Sequence, residues 1–323
     1  MSAPLSAAVL GTRASALARA QTDRVVELLE AAWPHIACAV KPIVTQGDKT
    51  QASGEPLPEI GGKGLFTLEL ERALRDGEID LAVHSLKDLP TEETPGVAIG
   101  AVSLREDARD CLVARDRFTL AGLPDGAVVG TSSLRREAQL CALRPDLVVR
   151  SIRGNVDTRV RKVRDGEYDA AVLAAAGIKR LGLEDAVTEW IEPETILPAP
   201  GQGALGIQCR ADDERVRALL AAIDDPGSRA ATAGERAFLR ALGGGCAAPV
   251  GAHAQVVATE ADNASNRLLH GPLHVRMEAL VASVDGSDVV RVSGEGEPEE
   301  VGERLAREAL AGGADRILAA IRG

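Results

Sequence analysis

The sequence predicts an α/β protein whose chain ends in a small α+β domain. From residue 7 to residue 177, apolar runs of strand type alternate with segments of helical periodicity, a pattern typical of parallel sheets wrapped by helices. Nearer the C-terminus, three strand-like segments follow one another before a final helical pattern. The chain of 323 residues is too long for one ordinary hydrophobic core, so we expect two or three domains.

The first set of alternating elements contains three predicted strands and two predicted helices, assigned from their hydrophobic periodicity. In order, they are a strand at 7–12, a helix to about Trp33, a strand at 36–45, a loop rich in Gly, Pro and Ser, a helix from about Leu65 and a strand at 79–85.

The second set repeats this alternation, and the tail departs from it. Strands are predicted at 111–115, 126–131, 146–152 and 168–177, with helices at 132–144 and 155–166. In the tail, strands are predicted at 253–260, 273–283 and 288–296, before a helical pattern from about Pro298 to Ile321 that contains Gly312 and Gly313. Strands that follow one another without helices between them indicate an α+β unit.

Charge and composition limit the classes of ligand. The net charge is −11, but residues 131–180 hold 11 Lys and Arg against 6 Asp and Glu, a balance of +5, so the rest of the chain carries −16. Such a chain is poorly suited to a nucleic-acid backbone, and an aromatic content of 2% offers few stacking surfaces for single strands. No apolar stretch is long enough to span a membrane. We therefore expect a compact anionic ligand.

The cysteine pattern indicates a reducing compartment. The five cysteines are widely separated and odd in number, which argues against a disulfide framework, so we expect a cytoplasmic protein. The first 21 residues contain no acidic residue and could be a transit peptide. We interpret them as a first strand followed by an amphipathic helix, because that fits the periodicity.

Two glycine-rich motifs resemble nucleotide sites but lack the required context. Gly201, Gly203 and Gly206 match G-x-G-x-x-G, yet the motif follows "LPAP" and leads toward a strand, the reverse of a dinucleotide site. The "GGKG" around Lys63 lacks the spacing and the Ser or Thr of a phosphate-binding loop. It is either a glycine-lined loop that presents a lysine to an anion or a plain turn at a helix start.

Basic residues follow several predicted strands. The stretch "GTSSLRR" at 130–136 offers Ser132 or Ser133 as a helix cap and places two arginines in the first turn, where cations oppose the helix dipole. Guanidinium groups beside free backbone N–H groups can bind a carboxylate or a phosphate. The other strand exits supply Arg13, Ser15, Arg153, Asn155 as an N-cap, Arg159 and Arg180. Because ligands in open α/β sheets bind beyond the carboxyl ends of strands, we expect these side chains to converge.

The exit of the strand at 79–85 adds one carboxylate to these cations. It supplies His84, Ser85, Lys87 and Asp88. A local Lys–Asp pair in a turn ordinarily contributes little to stability, and a carboxylate does not bind the acids of an anionic ligand. Asp88 could instead accept an N–H and stabilise positive charge that develops nearby.

Cys246 lies in "RALGGGCAAP" at 240–249, between glycines and a proline. The glycines let a bulky ligand approach the backbone, and the thiolate of a cysteine is a nucleophile. The alternative for any lone cysteine is a free buried thiol.

Together, these stretches resemble the porphobilinogen deaminase (hydroxymethylbilane synthase) family over nearly the whole chain. In the family's order they are "GTRAS", "GGKGLF", "AVHSLKDLP", "GTSSLRR", "RSIRGNVDTR", "GIKRLGL", "PAPGQGALGIQCR" and "GGGCAAP". The resemblance implies two α/β lobes of the periplasmic-binding-protein type and a C-terminal α+β domain. The implied bounds are 1–103 with 204–221 for the first lobe, 104–203 for the second and 222–323 for the third domain.

The resemblance implies a monomeric transferase that joins four porphobilinogen molecules head to tail. Ammonia leaves at each step, and the product is linear hydroxymethylbilane for tetrapyrrole and haem synthesis. The implied cofactor is a dipyrromethane built from the enzyme's own substrate. It is held by a thioether that forms when the Cys246 thiolate adds to an electrophilic methylene carbon, and no metal is predicted. The remaining cysteines are expected to be free and buried: Cys38, Cys111, Cys141 and Cys209.

The resemblance also implies roles for the strand-exit residues. Asp88 matches the catalytic carboxylate, which would stabilise an azafulvenium-like cation and help to protonate the leaving amine. The cofactor-binding positions are Lys63, Ser85, Lys87, Thr131, Ser132, Ser133, Arg135 and Arg136. The substrate-binding positions are Arg13, Ser15, Arg153, Arg159 and Arg180. Glu59 stands where several family members carry a lysine, which leaves the ligand contacts of its loop open.

Two other classes share parts of this pattern. A non-catalytic anion-binding protein of the periplasmic type would have the lobes and the arginines, but it has no use for Cys246 and usually needs an export signal. A transferase of phosphate ligands would use the same arginines without Asp88.

Overall fold

The computed structural model describes residues 5–47, 67–243, 248–257 and 273–322. Within these ranges the strands are β1 (Ala7–Thr12), β2 (Ala37–Pro42), β3 (Leu81–Ser85), β4 (Val97–Val102), β5 (Asp110–Ala114), β6 (Val128–Gly130), β7 (Val148–Arg150), β8 (Ala170–Ala174), β9 (Glu189–Ile191), β10 (Leu205–Arg210), β11 (Val250–Val257), β12 (His274–Ala282) and β13 (Val289–Gly296). The α-helices are α1 (Ala16–Ala32), α2 (Leu68–Arg75), α3 (Leu134–Leu143), α4 (Val156–Arg164), α5 (Ala175–Arg180), α6 (Glu214–Leu220), α7 (Pro226–Ala241), α8 (Pro298–Ala309) and α9 (Asp315–Arg322).

The described strands form two five-stranded sheets and one three-stranded sheet. We call the unit built on β2-β1-β3-β10-β4 the first lobe, the unit built on β7-β6-β8-β5-β9 the second lobe, and the unit built on β11-β12-β13 the third domain. The predicted fold class, two α/β lobes and a small α+β domain, is confirmed. The exact domain bounds derived from the resemblance stay predictions.

Neither lobe has the purely parallel sheet that the alternating pattern predicted. In the first lobe, β1 is parallel to β2 and β3, while β10 is antiparallel to β3 and β4. In the second lobe, β6 is parallel to β7 and β8, while β5 is antiparallel to β8 and β9. The reversed strands β10 and β5 each follow a passage of the chain from one lobe to the other. An apolar run shows that a strand is buried but not which way it runs.

Two crossover segments join the lobes, the first at 103–109 between β4 and β5 and the second at 198–204 before β10. They lie against each other, because Glu106 donates its backbone N–H to the carbonyl of Gly203 at 3.2 Å. Gly203 has a φ of +93°, and a Cβ there would lie 2.3 Å from the Glu106 carbonyl oxygen. Only glycine therefore fits this crossing of the two segments.

Some predicted elements differ in extent from the observed ones. The apolar run predicted as a strand at 168–177 divides into β8 and the first turn of α5, because Ala175 begins a helix at the sheet edge. The final helical pattern is two helices joined by a π-helical turn at Leu310–Ala314, where Gly313 has a φ of +107°. Helices α6 and α7 and strands β4 and β9 had no predicted counterpart.

The third domain packs two helices against its antiparallel sheet. Phe238 of α7, Leu305 of α8 and Met277 of β12 are fully buried in one cluster. The two helices approach closely, since a Cβ on Gly302 would lie 2.3 Å from the carbonyl oxygen of Gly234. Helix α7 also faces both crossover segments, as described below. Among the described residues, no helix combines the length and apolarity needed to cross a membrane.

Candidate active site

The exits of β1 and β3 lie side by side at one edge of the first sheet, because these strands are parallel neighbours. Ser15 is the N-cap of α1, and its Oγ accepts a hydrogen bond from the Ala18 N–H at 3.3 Å. Ser85 accepts one from Gln21 of α1 at 2.8 Å. The predicted residues Ser15 and Ser85 thus both contact α1.

A 3₁₀ turn at Leu86–Asp88 follows β3 and separates two charged neighbours. Lys87 is half-buried, whereas Asp88 is exposed. Burial, with the nearby charge of Arg136, lowers the pKa of Lys87 to about 8, although the charge of Asp88 acts in the opposite direction. The turn thus presents a carboxylate to solvent beside a lysine that stays protonated at neutral pH.

His84 precedes this turn and is buried on β3. Burial, together with the charge of Arg13, lowers its pKa to about 4, against the opposing effect of the neighbouring Gln208 side chain. Its Nε2 is buried without a hydrogen-bond partner. His84 is therefore a neutral imidazole close to the Arg13 guanidinium.

The exit of β6 places three hydroxyl groups ahead of α3. Ser133 occupies the N-cap position without a side-chain capping bond, and its N–H donates instead to Thr131 Oγ1 at 3.2 Å. Ser132 donates its hydroxyl to the Ile152 carbonyl at 2.7 Å, at the exit of β7. The hydroxyl groups thus tie two strand exits of the second lobe together.

Arg135 and Arg136, in the first turn of α3, are buried and share one carboxylate. Arg135 Nη1 lies 2.8 Å from Asp110 Oδ2, and Arg136 Nη2 lies 2.8 Å from Asp110 Oδ1. Burial by itself would raise the pKa of Asp110, but the two guanidinium groups outweigh it and hold that pKa well below its ordinary range. The Nε atoms of both arginines are buried without a partner, so each arginine keeps an unused donor.

Gln202 of the second crossover connects this pair to the first lobe. Its Nε2 donates to Asp110 Oδ1 at 2.8 Å, and its Oε1 accepts from Lys87 Nζ at 3.0 Å. A continuous chain of hydrogen bonds therefore runs from Lys87, beside Asp88, to the buried arginines of the second lobe.

The other predicted arginines of the second lobe fall into two places. Burial and the charges of Arg136 and Arg153 lower the pKa of Arg159 to about 10, so these three cations are close to one another. Arg153 itself is exposed. Arg180 lies elsewhere in the lobe, at the crossover segments, where its Nη2 donates to the Gly203 carbonyl at 2.7 Å.

Two predicted site residues, Lys63 and Cys246, lie outside the described residues, as does Glu59. The four other cysteines are free, and only Cys111 and Cys209 are fully buried. Cys38 and Cys141 are half-buried, so the expectation of burial was wrong for these two. Cys38 lies on β2, the edge strand of its sheet, and Cys141 lies in the last turn of α3.

Sequence reasoning missed several charged and polar residues that hold the site together. Asp110 and Gln202 link the lobes, and Glu235 of α7 forms a bidentate pair with Arg105 at 2.7 and 3.1 Å. Glu235 also accepts hydrogen bonds from the backbone N–H groups of Gly201 and Ala254. Gln202 stands inside the G-x-G-x-x-G motif excluded as a nucleotide site, and no local pattern marked the others.

The donors of this site fit a ligand with several carboxylates. Lys87, Arg136, Arg153 and Arg159 bring positive charge to adjoining strand exits. Unused Nε donors remain on both buried arginines. A dipyrromethane carries acetate and propionate arms, so the chemistry of these residues fits it.

Comparison with known proteins identifies the family. Residues 8–218 match the family model described as porphobilinogen deaminase, dipyromethane cofactor binding domain, and residues 230–311 match the porphobilinogen deaminase C-terminal domain. The chain belongs to the porphobilinogen deaminase family. The porphobilinogen deaminase of Roseiflexus castenholzii is 49% identical over 96% of this chain and 98% of its own. That of Thermus thermophilus is 47% identical over 97% and 99% of the two chains.

A solved structure of another kind shows a distant likeness to part of this chain. A periplasmic sulfonate-binding protein of Methylobacillus flagellatus aligns over 69% of this chain and 68% of its own, with 15% identity and a TM-score of 0.39. Membership of the porphobilinogen deaminase family confirms the resemblance read from the motifs. It also favours an enzyme over the non-catalytic anion-binding protein.

Proposed function

We propose that this member of the family is a hydroxymethylbilane synthase, a transferase that condenses four porphobilinogen molecules. In each step the aminomethyl C–N bond breaks, ammonia leaves, a C–C bond forms to the next pyrrole and that pyrrole carbon loses its proton. At the end the C–C bond that holds the completed tetrapyrrole breaks; water supplies hydroxide to its methylene carbon and a proton to the pyrrole carbon left behind, which gives linear hydroxymethylbilane. The observation that carries the proposal is the exposed Asp88 beside a protonated lysine, at an edge lined by arginines, in a chain of this family.

Asp88 is proposed as the catalytic carboxylate. It lies in a short turn fixed by β3, so its position is set by the sheet rather than by a long loop. Loss of ammonia leaves positive charge on the pyrrole of the substrate, and a carboxylate beside the pyrrole N–H stabilises that charge. The surrounding lysine and arginine side chains cannot stabilise this positive charge, because they carry charge of the same sign and repel it.

The basic residues are proposed to bind the acid arms of cofactor and substrate. Lys63, Ser85, Lys87, Thr131, Ser132, Ser133, Arg135 and Arg136 are assigned to the cofactor. Arg13, Ser15, Arg153, Arg159 and Arg180 are assigned to the substrate. A guanidinium fork can hold a carboxylate through two hydrogen bonds, which a lysine cannot copy. Arg135 and Arg136 are pre-positioned for this task, because Asp110 fixes their direction.

The dipyrromethane cofactor is proposed to be joined to Cys246 by a thioether. When bound, it supplies the pyrrole terminus on which the chain of substrate units begins. The Cys246 thiol, flanked by glycines in the sequence, offers an unhindered nucleophile for the attachment.

We further propose a monomer in the cytoplasm whose partner is the small molecule porphobilinogen, with no nucleic-acid or membrane partner. The acidic net charge of −11 and the scattered cysteines support this.

The mass of the denatured protein tests this function directly. We expect the wild-type protein to exceed its sequence mass by two linked pyrrole units, and the Cys246→Ser variant to lack that increment. Cys209→Ser is the matched control and should keep it, because Cys209 is fully buried within the first sheet. A wild-type protein without the increment, and without turnover of porphobilinogen, would refute the proposal.

A further inference from the structure

Gln202 is fully buried where the two lobes and the second crossover segment meet. Its side chain contacts Lys87 of the first lobe and Asp110 of the second. We propose that Gln202 is a positioning residue for Lys87, holding the lysine ammonium through a neutral acceptor while Asp110 fixes the direction of the amide. The inference deepens the proposed function, on which its kinetic test rests.

The direction of the amide follows from its partners. Nε2 lies 2.8 Å from the Ala108 carbonyl, 3.2 Å from the Arg109 carbonyl and 2.8 Å from Asp110 Oδ1. All three are acceptors. Two are carbonyl oxygens, and the third is a carboxylate oxygen because the arginine neighbours of Asp110 hold that carboxyl ionised. A flipped amide would place its oxygen against these acceptors and its NH₂ group against an ammonium, so Oε1 must face Lys87.

The backbone of Gln202 is fixed as firmly as its side chain. Its N–H donates to the Ala199 carbonyl at 2.9 Å, and its own carbonyl accepts from Arg105 Nε at 2.8 Å. Arg105 is in turn paired with the buried Glu235 of the third domain. The amide is therefore held from the lobes and from the third domain, as accurate placement of a lysine requires.

A neutral partner suits a lysine that has to bind an anion. One neutral acceptor occupies one of the three ammonium N–H groups and adds no negative charge beside Lys87, where Asp88 and Asp110 already oppose the charges of Arg136 and Arg135. A carboxylate in place of the amide would neutralise that charge. Because the pKa of Lys87 is about 8, the ammonium is retained at neutral pH with little margin, and the hydrogen bond that Lys87 donates to Gln202 Oε1 supports the protonated form.

The first test measures Lys87 without measuring activity. The full-length, cofactor-loaded protein is labelled with trace acetic anhydride across a pH series, and acetylation of each lysine is read by peptide mass, with exposed Lys41 as internal reference. In Gln202→Met we expect the midpoint of Lys87 labelling to fall by about half to one pH unit, because one hydrogen bond to the charged form is lost. If Gln202→Met does not fold, Gln202→Asn, which is one methylene shorter, should show the same fall.

Gln139 provides the matched control. It is also a buried glutamine, but it bonds only backbone atoms of Arg135 and Leu197. Gln139→Met should leave the Lys87 midpoint where it is in the wild type. If the midpoint in Gln202→Met also stays at the wild-type value, the positioning role is refuted.

The second test is a double-mutant cycle on kcat/KM for porphobilinogen. Gln202→Met and Lys87→Met should be strongly non-additive, with the double variant no worse than Lys87→Met alone. Gln139→Met should combine additively with Lys87→Met. Additive effects of Gln202→Met would refute the positioning role. A wild type that does not turn over porphobilinogen would refute the proposed function instead, and the labelling would still decide the role of Gln202.

Discussion

Arg136 donates from Nη2 to Oδ1 of Asp110 across 2.8 Å, and through this contact α3 of the second lobe is tied to β5. The sequence placed two cations in the first turn of α3 against the helix dipole, where stability alone would not select them. The structure supplies a reason, since both guanidinium groups pair with the buried carboxylate of Asp110. The placement of both guanidinium groups in the first turn of α3 thus depends on one carboxylate, that of Asp110, which lies outside the helix.

Removal of that carboxylate should be costly. Asp110→Asn leaves two buried guanidinium groups uncompensated, and we expect it to lower the free energy of unfolding by about 3–5 kcal/mol. Denaturant unfolding measures the change. The control is Glu78→Gln, which breaks the half-exposed pair with Lys41 and should cost about 0–1 kcal/mol. Equal losses in both variants would contradict a special role for Asp110.

Asp88→Asn should nearly abolish turnover and leave the fold and the cofactor intact. We expect kcat to fall by about 10²–10³-fold, because a single electrostatic contact with the developing charge is removed. The side chain is exposed, so the melting temperature should not change. Asp125→Asn, at a side chain 98% exposed, should keep full activity. A cofactor-loaded Asp88→Asn protein with most of its rate would move the catalytic role elsewhere.

The arginines should divide by task. Arg135→Leu and Arg136→Leu should accumulate without the cofactor mass increment, whereas Arg13→Leu and Arg159→Leu should keep it and slow elongation. Arg164→Leu, at an exposed position in the last turn of α4, is the control and should carry the full increment. Intact-mass spectra measure the outcome. Full loading of both Arg135→Leu and Arg136→Leu would show that neither arginine is needed to assemble the cofactor.

His84 should make the fold sensitive to acid. Its pKa is about 4 in the fold, below an ordinary value of 6.5, mainly because it is buried. Between these two pH values the His84 imidazole takes up a proton in the unfolded chain but not in the folded protein. The free energy of unfolding should therefore decrease as pH falls from about 6.5 to 4, by up to about 3 kcal/mol from this group. His84→Gln should flatten this part of the pH profile of unfolding. His35→Gln, at an exposed position, should retain the wild-type profile.

Gly203→Ala should damage the crossing of the two segments. The new Cβ would lie 2.3 Å from the Glu106 carbonyl oxygen, at a φ of +93°, and we expect a loss of at least about 2 kcal/mol. Gly182→Ala is the control. Gly182 also has a positive φ, +64°, but a Cβ there would meet nothing within 4 Å, so its cost should be about 1 kcal/mol. Thermal unfolding of both variants separates the clash from the backbone strain.

The sequence alone determined the elements and the chemistry that occurs within a few residues. Alternating apolar runs predicted sheets wrapped by helices, and β3 with its turn at 86–88 appeared where "AVHSLKDLP" placed it. Residue type predicted N-caps at Ser132 or Ser133 and at Asn155, and Ser133 and Asn155 occupy the N-cap positions of α3 and α4. Such features depend on neighbours in the chain, and a linear pattern records them.

Only the tertiary structure decided strand direction and the contacts between distant residues. The reversal of β10 and β5 follows from the two passages between lobes, which no periodicity encodes. Asp110, Gln202 and Glu235 carry no local signal, because their partners lie between 19 and 130 residues away. A buried charge is stable only with its partner. The tertiary fold decides which charged residue becomes that partner, because it brings distant parts of the chain together.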